Sequence, residues 1–470
     1  MGIFKVIGPP GTGKTTFMLN RLEEELKTYP SEKIAFVSFT RKGSYEGVER
    51  AIKRFKLTNR ETPYFRTIHS ICFNMLNITR DNMVNTEHYK ELMDKVGIPL
   101  STPDLNIQGV PLSNGAKYIR ACQMRDNNPE VHATYTREMN IKIYDYVEKN
   151  YIHFKEQRGL FDFTDILKRY LKEGQTLPVK VAFIDEAQDL TPLQWKVVEK
   201  MFSGADKVYF AGDDDQGIYA WAGADVKRFI NMPTSLTLDH SYRLPRSIHA
   251  FANKIVHNIS NRNEKQFSPR DEEGILDICS SWSLSNIDPK EETLILARTS
   301  MELNRAEKYL RSEGINYVRQ TQKGDAKALN KKTLRAIVLY ETFRRKHDEL
   351  ARKTLEMYRE YFISLEDFTR PWYEVLVDQE EAAFIRRMRQ RKINPEVTPK
   401  VRLSTIHGAK GAESDRVVLA LDMSRRTYKT WLEFMDNELR TYYVGATRAK
   451  CRLTLKLKEQ EYGYPANFED

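Results

Sequence analysis

Short apolar runs recur along the chain, separated by stretches whose apolar positions return every three or four residues. Ile3–Ile7, Ile34–Phe39, Val181–Ile184 and Val208–Ala211 are almost continuously apolar. Runs of that length, apolar on both faces, suit strands buried in a parallel sheet. Thr15–Thr28 and Pro192–Phe202 read as helices lying between them. Strands alternating with helices predict an α/β fold with parallel sheets. A second set of strands follows at Ile275–Cys279, Thr293–Ala297, Val401–Thr405, Val417–Leu421 and Arg452–Leu457. Two regions interrupt the pattern. From about Asp81 to Arg158 the strand signal vanishes and the period turns helical. Lys323–Lys400 is rich in Lys, Arg and Glu and helical in period as far as Pro371. The expected organisation is two similar cores, each with a mainly helical insertion. Residues 1–80 and 159–240 form the first core and 81–158 its insertion. Residues 241–322 and 401–470 form the second core and 323–400 a reduced insertion, with the join near Leu236–Ser247.

At 470 residues the chain is long enough for several domains with buried cores. Hydrophobic residues make up 40% and charged residues 30%, the balance of a soluble globular protein. No apolar run reaches the roughly 18 residues of a membrane span, and the N-terminus lacks the layout of a signal peptide. Cys72, Cys122, Cys279 and Cys451 show no metal or redox spacing, which fits a reducing cytoplasm. A net charge of +10 fits a polyanionic partner.

Gly8-Pro9-Pro10-Gly11-Thr12-Gly13-Lys14-Thr15 matches the phosphate-binding loop between a strand and a helix. Glycines let backbone N–H groups wrap phosphates, and the helix N-terminus adds positive potential. Lys14 reaches the β- and γ-phosphates, and the Thr15 hydroxyl can ligate Mg²⁺. Val181–Glu186 is an apolar strand ending in two carboxylates. Asp185 can hold Mg²⁺ through water, and Glu186 can orient and deprotonate an attacking water. Gly212–Trp221 sets a polar cluster suited to reading a phosphate beside aromatics suited to stacking on a base. Tyr242-Arg243 and Gly445–Lys450 each carry an arginine able to neutralise charge on a γ-phosphate. Taken singly, Phe39 and Tyr219 read better as core aromatics, and His69 and His407 as structural histidines.

Nine motifs in order resemble the UvrD/Rep group of superfamily 1 helicases. They are the phosphate loop, Ser38–Lys42, Thr67–Ser70, Asp162–Leu167, Asp185–Asp189, Gly212–Trp221, Tyr242-Arg243, Thr405–Glu413 and Tyr443–Lys450. The resemblance covers both cores and hardly touches the insertions. It implies two RecA-like P-loop NTPase cores, with ATP and Mg²⁺ between them and single-stranded DNA crossing both. Gln216 would sense the γ-phosphate, and Arg243 and Arg448 would be arginine fingers. Tyr242 would stack on adenine, and Glu413 would hydrogen-bond the ribose. Phe39, Tyr219 and Trp221 would stack on bases, with Thr40, His69, Thr405 and His407 along the backbone track.

The chain departs from its relatives at two positions. Members of the group it resembles usually carry an adenine-reading glutamine upstream of the loop, where only seven residues precede Gly8 here. They often have arginine where Thr16 stands. The resemblance therefore implies ATP with laxer base discrimination. It further implies a 3′→5′ DNA translocase and helicase. A monomer is expected, in the cytoplasm that the cysteines suggest, of a bacterium or phage-infected host, the compact size suiting a phage or mobile-element enzyme. It would act on single strands and their duplex junctions beside replication or repair proteins. A translocase that strips proteins without unwinding, and a nucleotide-dependent binding switch, remain open alternatives.

Overall fold

The computed structural model describes the chain apart from residues 39–40, 101–113, 322–323, 367 and 466–470. The described residues divide into two compact units. One comprises Met1–Glu273 and Trp431–Thr447, the other Gly274–Thr430 and Arg448–Asp470.

Six strands form the sheet of the first unit: β1 (Gly2–Ile7), β2 (Ile34–Ser38), β3 (Phe65–Thr67), β4 (Val181–Asp185), β5 (Lys207–Gly212) and β6 (Leu236–Thr237). Their order is β3-β2-β4-β5-β1-β6, and every pairing is parallel. β2 and β4 are buried along their whole length, the outcome expected of near-continuous apolar runs between helical layers. The chain leaves β1 and returns at β2, three places away, so a crevice opens at the carboxyl ends of the strands beside β1. The helix Lys14–Leu26 turns Met18, Leu19 and Leu22 inward at helical spacing. Its N-cap, Gly13, is left-handed and has no capping side chain. The first N–H groups of that helix therefore face the crevice without a side-chain acceptor.

The first insertion is helical: Thr86–Val96, Asn114–Asn127, Pro129–Thr136 and Ile141–Arg158. It buries its own cluster, including Leu92, Ile119, Tyr144, Val147 and Phe154. Asp162 ties it to the core. Its carboxylate caps the helix Phe163–Glu173 by accepting from Thr164 N (2.8 Å) and Asp165 N (2.9 Å). It also accepts from Tyr151 Oη (2.8 Å) and Lys155 Nζ (2.8 Å) of the last insertion helix. The Asp162–Leu167 motif thus joins two layers of the fold.

The second unit holds seven strands: β7 (Ile275–Cys279), β8 (Thr293–Ala297), β9 (Tyr317–Thr321), β10 (Gly324–Lys327), β11 (Val401–Thr405), β12 (Ser414–Ala420) and β13 (Ala449–Lys456). Their order is β10-β9-β11-β8-β12-β13-β7, parallel except for the β9–β10 hairpin at one edge. All five strands expected from the apolar pattern are present. β9 and β10 escaped it because only Tyr317 and Val318 are buried. Helix also resumes beyond Pro371, at Trp372–Val375 and Gln379–Gln390, since Pro371 sits at an extended N-cap where its missing N–H costs nothing. The α/β class, with parallel sheets flanked by helices and a helical insertion in each part, stands as expected.

Candidate functional site

The carboxyl ends of β1, β4 and β5 deliver the phosphate loop, Asp185-Glu186 and Asp213–Gln216 to one edge of the first sheet. Gly11 and Gly13 have φ of +75° and +76°, conformations that side chains other than glycine's resist. A Cβ on Gly11 would lie 2.3 Å from Arg243 Cβ and 2.8 Å from Ser241 Oγ. The segment Ser241–Arg243 is stitched directly onto the loop. Ser241 Oγ donates to Pro10 O (2.7 Å), and Tyr242 N donates to Gly11 O (2.9 Å). The Tyr242 ring is left 73% exposed beside the loop, edge-on to His240 and open to a planar ligand. Gly11→Ala should therefore lose more than the roughly 1–2 kcal/mol of left-handed strain alone. We expect nucleotide affinity at least about tenfold weaker, read by titration with a fluorescent ATP analogue.

Lys14 Nζ donates to Glu186 Oε1 (2.7 Å) and lies 3.8 Å from Asp185 Oδ1. Burial pulls the Lys14 ammonium down, but Glu186 and Asp185 more than offset it and hold it above the ordinary lysine value. Glu186 adopts φ 54° and ψ 40°, a left-handed conformation that costs a non-glycine residue about 1–3 kcal/mol and is found chiefly where function demands it. Gln188 Nε2 donates to Glu186 Oε2, and its Oε1 accepts from Asp213 N (3.1 Å). Asp213 Oδ2 in turn accepts from Gln216 Nε2 (2.7 Å). Lys14, Glu186, Gln188, Asp213 and Gln216 thus form one hydrogen-bonded chain, at whose far end stand Tyr219 and Trp221, ring centroids 6.4 Å apart.

Behind this chain lies a buried ionic cluster. The fully buried Lys265 ammonium sits 2.8 Å from Asp213 Oδ1, 2.7 Å from Asp214 Oδ1 and 3.0 Å from Asp215 Oδ2. Arg262 forks onto Asp215 through Nε (2.9 Å) and Nη2 (2.6 Å). Arg440, on the helix Met435–Ala446, donates from Nε to Asp214 O (2.9 Å). Burial pushes the Asp213 carboxyl above the ordinary value. At Asp214 burial pushes the same way, but Lys265 and Asn263 reverse it and leave that carboxyl low. Burial likewise depresses Lys5, which donates to Asn263 Oδ1 (3.2 Å), to about 8.

Of the other expected site residues, Thr15 is half-buried and Thr16 exposed at the start of the first helix. His69 is half-buried and edge-on to Phe163 at 5.5 Å. Arg243 lies in the first unit. Phe39 and Thr40 fall outside the described residues. Within the second unit, Arg448 is buried and donates from Nη1 to Ala412 O (3.3 Å), beside the exposed Glu413. Thr405 and His407 are buried there, and Thr405 Oγ1 accepts from Gly408 N (3.1 Å). Sequence reasoning gave no role to Gln188, Ser241, Arg262, Lys265 or Arg440. Gln188 was legible from its place two residues after the strand-end glutamate. The others act across long sequence separations and carry no local signal.

The model of the UvrD/REP helicase N-terminal domain matches residues 1–237, and that of the UvrD-like helicase C-terminal domain matches residues 135–460. The chain belongs to the UvrD-like helicase family. Among curated relatives in this family, the chain is 21% identical over 324 residues to ATP-dependent DNA helicase Rep of Buchnera aphidicola subsp. Baizongia pistaciae, covering 63% of this chain and 46% of that one. It is 25% identical over 286 residues to DNA helicase II of Salmonella typhimurium, covering 56% and 39%. It is 22% identical over 291 residues to ATP-dependent DNA helicase PcrA of Staphylococcus aureus, again covering 56% and 39%. The matched part is under half the length of these relatives. A solved structure of the PRRSV helicase aligns with 98% of this chain and 53% of its own at 11% identity, with a TM-score of 0.37. As a UvrD-like chain, its phosphate loop and strand-end carboxylates fall within the matched N-terminal region. No helix among the described residues is long and apolar enough to cross a membrane.

Proposed function

We propose that the protein is an ATP-dependent single-stranded DNA translocase and DNA helicase that moves 3′→5′. The observation carrying this reading is the hydrogen-bonded chain from Lys14 to Gln216, which ends in the loop bearing Tyr219 and Trp221. Those hydrogen bonds would couple a phosphate at the Lys14 end to a base stacked at the Tyr219 and Trp221 end.

Lys14 is paired with Glu186 in this structure. ATP phosphates compete for that ammonium, and their arrival frees Glu186 to orient and deprotonate the attacking water. Breaking the pair leaves Glu186 held by Gln188, so the change passes to Asp213 and Gln216. The exposed Tyr242 ring takes the adenine face, and Glu413 the ribose. Arg243 and Arg448 stabilise charge on the γ-phosphate, as the family resemblance implies. The Thr15 hydroxyl and Asp185 carboxylate are hard oxygen donors of the kind Mg²⁺ accepts beside phosphate oxygens. An Mg²⁺ ion held by these two oxygens would supply charge neutralisation to the phosphates. Trp221, Tyr219 and Phe39 would stack on bases, with His69, Thr40, Thr405 and His407 along the backbone track.

The test is ATP hydrolysis and strand separation on a partial duplex with a 3′ tail, beside a 5′-tailed duplex and a blunt control. Unwinding from the 3′ tail alone is the expected result. Strand-stimulated hydrolysis without separation on any substrate would replace the helicase by a protein-stripping translocase. Hydrolysis indifferent to single strands would leave only a nucleotide-dependent binding switch.

A further inference from the structure

Arg120 projects from the insertion helix Asn114–Asn127 and is wholly buried. Its guanidinium carbon lies 5.2 Å from the centroid of the Trp221 ring. None of its Nε, Nη1 and Nη2 atoms has a hydrogen-bond partner among the described residues. A guanidinium stays charged at any working pH and presents five N–H donors. Burying it without an acceptor is costly, and a cation–π contact offsets only part of that cost. Other buried arginines here are served differently. Arg440 donates to Asp214 O, and Arg416 donates to Asn286 O (2.9 Å) and Glu291 Oε2 (2.9 Å).

Arg120 is also unnecessary for holding the loop it backs. Tyr135 Oη donates to Trp221 O (3.2 Å), and Asn128 Nδ2 donates to Gly223 O (3.0 Å). Gly223, at φ +97°, lets Met124 approach so closely that a Cβ there would lie 3.1 Å from its sulfur. The insertion therefore already grips the loop backbone at both sides of the indole. An apolar side chain of similar volume would pack behind Trp221 at least as well as a charge does.

We propose that Arg120 is a strand-binding residue whose free donors take up a backbone phosphate of the nucleic acid that stacks on Trp221. The inference rests on the reading of Trp221 as a base-stacking platform. A strand arriving at that ring brings a phosphodiester with it, the one anion whose presence coincides with the demand. The flexible arginine stem reaches it by a change of rotamer, exchanging an unserved charge for a charge-assisted hydrogen bond. The helical insertion thereby contributes to grip on the strand, a role its sequence does not announce.

The test compares Arg120→Met, Arg120→Lys and Trp221→Ala by binding of labelled oligo-dT across a salt series, with thermal melting of each protein. Arg120→Met should melt no lower than wild type, bind about tenfold more weakly, and show a log–log salt slope smaller by about 0.7, the loss of one phosphate contact to a single strand. Arg120→Lys should keep the slope. Weaker binding by Arg120→Met with an unchanged slope would mean Arg120 merely supports the indole and would overturn the proposal. Unchanged binding would overturn it as well. Should Arg120→Met melt low, Arg120→Lys decides, since a lost slope in a charged, folded variant contradicts a phosphate contact. If Trp221→Ala binds like wild type, the stacking reading itself fails. If Trp221→Ala is weak and Arg120→Met is not, only the present inference fails.

Discussion

Glu186→Gln should lower ATP turnover by about 10²–10⁴-fold, the usual contribution of a positioned general base. That corresponds to roughly 3–5 kcal/mol of transition-state stabilisation. The substitution is nearly isosteric. An amide oxygen can still accept from Lys14 Nζ, now 2.7 Å from Glu186 Oε1, so the fold and the loop geometry persist. What is lost is the proton acceptor. Nucleotide and single-strand binding should be retained, and weaker competition for Lys14 should if anything tighten ATP. Steady-state hydrolysis with and without oligo-dT, beside direct nucleotide titration, checks both halves. Turnover within tenfold of wild type would place the base elsewhere.

Lys265→Met should cost about 3–5 kcal/mol of stability, as expected when one partner is removed from a buried ion cluster. The ammonium is the shared counter-charge of Asp213, Asp214 and Asp215, all within 3.0 Å of it and all buried. Arg262 still serves Asp215, but Asp213 keeps no cation of its own among the described contacts. Its carboxyl is already pushed up, first by burial. In the variant, protonation becomes the route to neutrality. A carboxyl whose folded value lies above its unfolded one binds more protons when folded, so stability is gained as pH falls through that folded value. The deficit should thus be largest at alkaline pH and narrow as the pH falls, with a melting temperature lower by about 10 °C at the alkaline end. Lys265→Arg should restore most of it. A pH-independent deficit would show that the aspartates do not carry it. Because Asp213 also holds Gln216, residual folded protein should respond poorly to DNA.

Much of this architecture was legible locally. Ile34–Phe39 and Val181–Ile184 announced buried parallel strands because a strand covered on both faces must be apolar throughout. The phosphate loop was legible because close approach to phosphate demands glycines at set positions, and Gly11 and Gly13 indeed hold positive φ. Edge strands β9 and β10 were not legible, since a half-exposed hairpin has no continuous apolar face. Helix beyond Pro371 was missed because proline reads as a stop when it stands equally well at a start.

The α/β class, the phosphate loop, the strand-end carboxylates and the aromatic loop are all legible from residue order alone. Each is a local pattern, imposed by backbone geometry within about ten residues. What surrounds Asp213, Asp214 and Asp215 emerges only when the chain is folded. Their partners come from Arg262 and Lys265 and from Arg440, a residue that follows β12 of the second sheet yet packs with the first unit. Arg120 behind Trp221 is the same kind of fact. A buried charge must be met by whatever chain folds against it, and that requirement leaves no periodicity to read.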